Sequence, residues 1–164
     1  MSTGVRLALE NADAKQHSTW QPAPQENIGR VCDVYDGDTL TLLCSISGTI
    51  YKFHTRIMGV DCPEIRGRGE WEKEAAKAVR DVVISLCRNK IFQLETHGTD
   101  KYGRLIADLW LSSGIRLSDY LLSWSLARPY SGGTRTPFTD AELNHIVTTC
   151  HTLESSGLGA CANR

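Results

Sequence analysis

A chain of 164 residues with 41% hydrophobic and 23% charged side chains has the size and composition of one globular domain, able to bury a core without disulfide or metal staples. Its formal net charge of −1 gives no overall attraction to a polyanion, so nucleic-acid binding would need a local basic patch. No apolar run approaches the roughly 18 residues that would span a bilayer, so no membrane role is expected.

Residues 1–27 are polar, contain Gln21-Pro22-Ala23-Pro24, and read as a flexible arm before a folded domain over 28–161. They hold no uninterrupted apolar h-region and no cleavage-site pattern, which makes an intracellular, cytoplasmic setting the expectation. The six cysteines (32, 44, 62, 87, 150, 161) are scattered with no C-x-x-C pair and are expected as free thiols. The group His145, Cys150, His151 and Cys161 matches no zinc-ligand spacing.

The runs "GRVCDVY" and "DTLTLLCSI" alternate like strands around an Asp36-Gly37 turn, and Ser47-Gly48 turns the chain into a third, "TIYKFHTRIMGV". After Pro63, "EWEKEAAKAVRDVVISLC" carries Ala75, Val79, Val82, Val83 and Leu86 at helical spacing and ends near Arg88-Asn89. Its i,i+4 pairs Glu70/Glu74 and Lys73/Lys77 are like-charged and add no stability. "KIFQLETH" and "RLIADLWL" predict two further strands, "IRLSDYLLSWSLA" a second helix, and Thr139 caps a third, "DAELNHIVTTCHTLES", ending at Gly157. Five strands with a helix after the third and two more at the end predict an α+β fold: a five-stranded OB-fold β-barrel with about three α-helices. Phe92, Trp110 and Trp124 are expected in the core or against helices, Trp20 and Trp71 at the surface, and His54 outside any site.

Three polar clusters fall at strand ends or loops: "DGDT" (36–39), "TRIMGVDCPE" (55–64) and "DKYGR" (100–104). Around them, residues 52–104 hold eleven Lys or Arg against eight Asp or Glu, a local excess of +3. Asp38 and Asp61, with the carbonyl of Cys62, are oxygen donors of the kind that a hard cation such as calcium takes, leaving positions for water and substrate. Manganese and magnesium accept the same oxygens. Glu64, in a turn held by Pro63, is placed to act as a base, and the planar forks of Arg56 and Arg104 suit bidentate capture of a phosphate. Metal, base and two arginines are the groups that phosphodiester hydrolysis needs, because attack adds charge to an anionic centre. Arg56 and Asp61 would point to opposite faces of an unbroken strand, so Gly59 predicts irregular geometry over 58–62.

In series, "DGDT", "RIMGVDCPE", "TDKYGRLIA" and "LSWSLAR" resemble the staphylococcal nuclease (thermonuclease) family, in the right order over residues 28–160. The resemblance implies calcium on Asp38, Asp61 and the Cys62 carbonyl, with Asp36 behind them or on metal-bound water. It further implies Glu64 as general base, Arg56 and Arg104 on the scissile phosphate, and Lys101 and Tyr102 on a neighbouring one. Tyr130 aligns approximately with a substrate-facing aromatic. The implied activity is calcium-dependent cleavage of DNA and RNA with little sequence preference, breaking the bond to the 5′ oxygen and leaving 3′-phosphates.

The chain departs from the family where Cys62 replaces the usual Thr or Ala, in the segment after Glu64, where Arg66 and Arg68 are candidates for further substrate contacts, and in its terminal Gly157-Leu158-Gly159. The alternative reading is a non-catalytic nucleic-acid-binding or interaction module, a degenerate copy that would be expected to have lost part of the set Asp38, Arg56, Asp61, Glu64 and Arg104. All five are present. A monomer is expected, and a phage, plasmid or virus setting would suit a nuclease without a signal peptide.

Overall fold

The computed structural model describes residues 27–157. Residues 1–26 of the expected arm over 1–27, with Trp20, and the tail with Leu158, Gly159 and Cys161 lie outside the described residues, while the Asn27 carbonyl accepts from the Leu94 N–H at 2.7 Å. Five strands close a barrel in the order β1 (Ile28–Asp36), β2 (Thr39–Ile46), β3 (Thr49–Ile57), β6 (Leu105–Trp110), β5 (Ile91–Thr99). The first three form the expected antiparallel meander, β5 returns to β1 to close the ring, and β3 and β6 pair in parallel. The result is the α+β barrel that the sequence predicts.

Alternation along β1 is interrupted. Val31 and Val34 are both buried although an odd number of steps separates them, and the pairing with β2 slips between Val31 and Asp33 and again between Val34 and Asp36. Each slip inserts one extra residue on β1, and such bulges bend a strand and re-aim its side chains. The second leaves Tyr35 exposed and Asp36 buried at the mouth of the barrel.

Helix α1 (Glu70–Cys87) lies over the barrel and buries Ala75, Ala76, Val79, Val82, Val83, Leu86 and Cys87, a stripe at the i, i+3, i+4 spacing of an amphipathic helix. It ends where Asn89 takes φ 64°, a left-handed conformation that Asn tolerates better than most residues. Lys73 pairs with Glu70 at 2.7 Å, so this face carries an opposite-charge i,i+3 contact besides the like-charged pairs expected from sequence.

The close approach of α1 to the barrel explains Gly37. A Cβ there would stand 2.5 Å from Val79 Cγ1 and 2.8 Å from Cys62 Sγ. The glycine is required by packing at this turn. Gly37→Ala is expected to destabilise the protein by about 1–3 kcal/mol through overpacking. A urea midpoint indistinguishable from the parent's would contradict this.

Helix α2 (Leu117–Ser123) stops four residues before the expected end at Ala127. Ser125 takes φ 54°, its N–H donates to the Leu122 carbonyl at 3.0 Å, and the Leu126 N–H donates to the Leu121 carbonyl at 2.8 Å. This is a Schellman termination, with Leu126 buried, made without the glycine that usually announces one. The start of α2 is held from β6: Asp108 accepts from the Ser118 N–H at 3.2 Å and from the Leu109 N–H at 2.8 Å, and Ser118 Oγ also donates to it. Helix α3 (Asp140–Ser155) has the full capping box, with Thr139 and Glu142 each accepting from the other's N–H, and packs Leu143, Ile146, Cys150 and Leu153 inward beside α1.

Phe92 is 4% exposed, a core residue as expected, but Trp110 and Trp124 are 40% and 38% exposed. Trp110 ends β6 on its outward face, whereas Trp124, at the C-terminal cap of α2, packs its ring against Tyr120 of that helix at 6.4 Å between centroids, in line with the helix-packing expectation. Trp71 and His54 are exposed, in line with their sequence readings. Among the described residues no helix is long and apolar enough to cross a membrane.

Candidate nucleic-acid cleavage site

Gly59, at φ 78°, breaks β3 after Ile57 and takes the chain out of the barrel. The next two residues form β4 (Val60–Asp61), which pairs with β7 (Arg128–Pro129). The irregularity expected near 58–62 is therefore a departure into a second, two-stranded ribbon. It resolves the facing problem of Arg56 and Asp61: the Arg56 guanidinium donates to Asp38 Oδ1 at 2.8 Å, to the Val60 carbonyl at 3.1 Å and to Asp61 Oδ1 at 3.4 Å. Arg56 pairs with Thr39 across β2 and with Ile106 across β6, so it stands between the "DGDT" turn and the start of β6. Arg104 immediately precedes β6 and lines the same cleft as Arg56.

Asp38 and Asp61 are 1% and 6% exposed. Asp38 also accepts from the Cys62 N–H at 2.9 Å on Oδ2 and from Thr39 Oγ1 at 3.0 Å on Oδ1, so two segments distant in sequence orient its two oxygens. Asp36 is buried beside it, and Oδ1 of Asp36 has no hydrogen-bond partner. Burial first, and then the Asp38 charge, push Asp36 up to about 7. Burial also pushes the Cys62 thiol well up, helped by the charges of Asp38, Asp36 and Asp61, so a thiolate is not available here. Four acidic or potentially acidic groups are thus electrostatic neighbours at the barrel mouth without converging on one point, and the unpartnered Asp36 oxygen is among them.

Above them opens a cleft of about 1440 Å³, larger than a typical small-molecule pocket of about 300–1,000 Å³ and suited to an extended ligand. Asp36, Arg56, Glu64, Lys101, Tyr102, Arg104 and Tyr130 all line it. Asp38, Asp61 and Cys62 lie against Arg56 and Arg135 of this lining, so every residue of the predicted metal, catalytic and substrate-binding set comes to this end of the barrel. Arg104 is held by Asp100, Nε to Oδ2 at 2.7 Å, and lies 5.8 Å from the Tyr102 ring centre. Burial would raise Asp100, but the N–H groups of Arg104 and Tyr102 and the Arg104 guanidinium outweigh it and hold the carboxyl below its ordinary range. Tyr130 joins the site through its N–H, which donates to the Gly59 carbonyl at 2.9 Å, and its ring lies 5.6 Å from the Arg56 guanidinium. Arg66 also lines the cleft, 5.9 Å from the ring of Tyr35. Arg68 is not part of this wall, and its N–H donates instead to Glu72.

Two participants escape the motif reading. Tyr35, 44% exposed at the cleft edge, is turned there by the β1 bulge. Arg135 reaches in from the loop after β7, donating to Asp61 Oδ1 and pairing with Glu64. It also lies 3.5 Å from the Cys62 carbonyl and 3.8 Å from Asp38 Oδ2. Gly132-Gly133 marks a loop in the sequence, but nothing in the spacing ties Arg135 to Asp61, 74 positions earlier.

The oxygens of Asp38, Asp61, Glu64 and the Cys62 carbonyl are hard donors, and Oδ1 of Asp36 beside them has no hydrogen-bond partner, a set whose chemistry suits a hard cation. Among the described residues no three His, Cys, Asp or Glu side chains converge as a ready-made metal cluster; two guanidiniums share the carboxylates instead. The donor chemistry fits a cation bound by few protein oxygens.

Barrel, carboxylates and arginines together define a nuclease-type OB-fold domain. Residues 54–149, more than half of the chain, match the staphylococcal nuclease homologue family, and the chain belongs to that family. It is 25% identical to an uncharacterized protein of Methanocaldococcus jannaschii, a match covering 77% of this chain and 74% of that one. It is also 25% identical to a protein named as a probable endonuclease in Phaeosphaeria nodorum, over 62% of this chain. That match spans 35% of the fungal protein's length, about a third.

Proposed function

We propose that this chain is a calcium-dependent nuclease that hydrolyses phosphodiester bonds of DNA and RNA with little sequence preference, acting as a monomer and leaving 3′-phosphates. The observation that carries the reading is the convergence of Asp38, Asp61 and Glu64 with Arg56 and Arg104 at one open cleft whose walls include Tyr102 and Tyr130. A binding module would need the arginines and aromatics but has no use for buried acidic groups under them. Family membership and the likeness to a probable endonuclease support the same class of activity.

Asp38, Asp61 and the Cys62 carbonyl would hold the calcium ion, with manganese and magnesium as substitutes of the same chemistry. Bound there, the ion would supply positive charge to the phosphoryl oxygen and to the attacking water. Arg56 and Arg104 grip the non-bridging oxygens of the scissile phosphate, and their charge meets the extra negative charge that develops during attack. Glu64 takes a proton from water as the new O–P bond forms and the bond to the 5′ oxygen breaks. Lys101 and Tyr102, exposed beside Arg104, engage the neighbouring phosphate or nucleotide, and Tyr130, lining the same cleft, offers an aromatic face.

The purified chain is expected to cut plasmid and single-stranded DNA with added calcium and to stop on chelation. Arg104→Ala should lower the rate by about 10²–10³, the usual scale for losing one preorganised donor. Retained DNA binding with no cleavage under any of the three ions would overturn the enzyme reading and favour the binding module.

A further inference from the structure

The loop that carries Arg135 is tied at both ends. At its start the Tyr130 N–H donates to the Gly59 carbonyl, and near its end Arg128 donates to Thr136 Oγ1 at 2.9 Å and lies 3.7 Å from the Phe138 ring. Between the ties, Gly132 and Gly133 take φ 102° and 97°, conformations that other residues rarely adopt. The Tyr130 hydroxyl donates to the Gly133 carbonyl at 2.8 Å, which folds the loop back toward β4. Arg135 follows this fold and delivers its guanidinium to Asp61, Glu64, the Cys62 carbonyl and the edge of Asp38. Its side chain is 31% exposed, so one flank faces the cleft.

We infer that Arg135 is a built-in competitor for the cation site, its guanidinium using the same oxygens that a divalent cation would take. The inference rests on the proposed cation site and adds a residue that no motif includes. Arg56 cannot play this part: it is only 13% exposed, fixed by the Val60 carbonyl, and sits in the barrel wall. Arg135 has no carbonyl contact nearer than 3.5 Å within the site, and its loop contains the two glycines. A divalent ion bound there would place twice the charge on these carboxylates, and Arg135, which already lines the cleft, would be free to turn its guanidinium into it.

Competition weakens apparent cation affinity in proportion to the time that Arg135 holds the site. If it holds the carboxylates nine-tenths of the time, the apparent Kd for calcium is about ten times the intrinsic one. Calorimetric titration of the full chain with calcium chloride should therefore show Arg135→Ala binding about tenfold tighter, with Arg135→Lys between it and the parent. Removing a nearby positive charge would tighten binding even without contact, so a second readout is needed. The side-chain Nε–H resonance of Arg135, assigned by its loss in Arg135→Ala, should move to the position of solvent-exposed arginines as calcium saturates the parent protein.

A resonance unmoved at saturation, or equal affinities in parent and Arg135→Ala, would overturn the competitor while leaving the cation site standing. Absence of calcium binding in parent and variant alike would remove the cation site itself, and the competitor with it. Should Arg135→Ala fail to fold, the titration of the parent resonance decides the matter alone, with the assignment taken from Arg135→Lys.

Discussion

Glu64→Gln is expected to lower the initial rate of plasmid cleavage at saturating calcium by about 10²–10⁴, the range that a positioned general base contributes. The substitution keeps the shape of the side chain and the turn in which the Gly67 N–H donates to the Glu64 carbonyl, while removing the carboxylate charge, its ion pair with Arg135 and the ability to accept a proton. Its structural cost should be small. The Glu64 side chain is 47% exposed, and an ion pair such as the one it makes with Arg135 contributes about 0–1 kcal/mol at that exposure. Rate and stability should therefore separate: a large fall in turnover with a thermal midpoint within a few degrees of the parent's. A rate within threefold of the parent's would exclude Glu64 as the base, and a matching fall in stability would assign it a structural part instead.

Arg56→Ala is expected to do the opposite, lowering stability and rate together. Arg56 bridges two buried carboxylates, Asp38 and Asp61, and donates to the Val60 carbonyl that starts the β4–β7 ribbon. Taking one partner from a buried pair leaves an uncompensated charge, which typically costs about 3–5 kcal/mol. Arg135, 3.8 Å from Asp38 Oδ2 and paired with Asp61, partly compensates, so the lower end, about 3 kcal/mol, is expected. Urea denaturation measures this loss directly. Calcium should restore more stability to Arg56→Ala than to the parent, because the ion would neutralise the same carboxylates. Arg56→Lys should recover much of the stability but little of the rate, since a point charge replaces the bidentate fork. Equal stability of Arg56→Ala and the parent without calcium would show that these carboxylates need no guanidinium.

The contrast between these two residues bears on how much of the site can be read from the chain. Glu64 and Arg56 are both legible in the sequence because each sits in a short motif beside the groups it works with: Glu64 three positions after Asp61, Arg56 five before it. Their different energetic roles are not legible there. Only the barrel shows that Arg56 is sandwiched between β2 and β6 while Glu64 stands half-exposed at the cleft.

Local chemistry is what the sequence by itself determined. Period-2 and period-3.6 patterning placed five barrel strands and the first helix, α1 matching Glu70–Cys87 residue for residue, because burial selects side chains at those spacings. The Thr139 cap of α3 was visible from its residue type at the helix start, and the structure adds the reciprocal contact with Glu142. The tertiary structure alone decided whatever depends on distant segments meeting. The stop of α2 at Ser123 came from Leu126 packing into the core over a left-handed serine, and Gly37 answers to Val79 on a helix more than forty positions later. The β4–β7 ribbon, too short to carry a periodic signal, joins Asp61 to Arg128 and brings Arg135 onto the carboxylates. Patterning records which face a residue turns inward, but not what it meets there, since contact across the chain depends on how the elements pack.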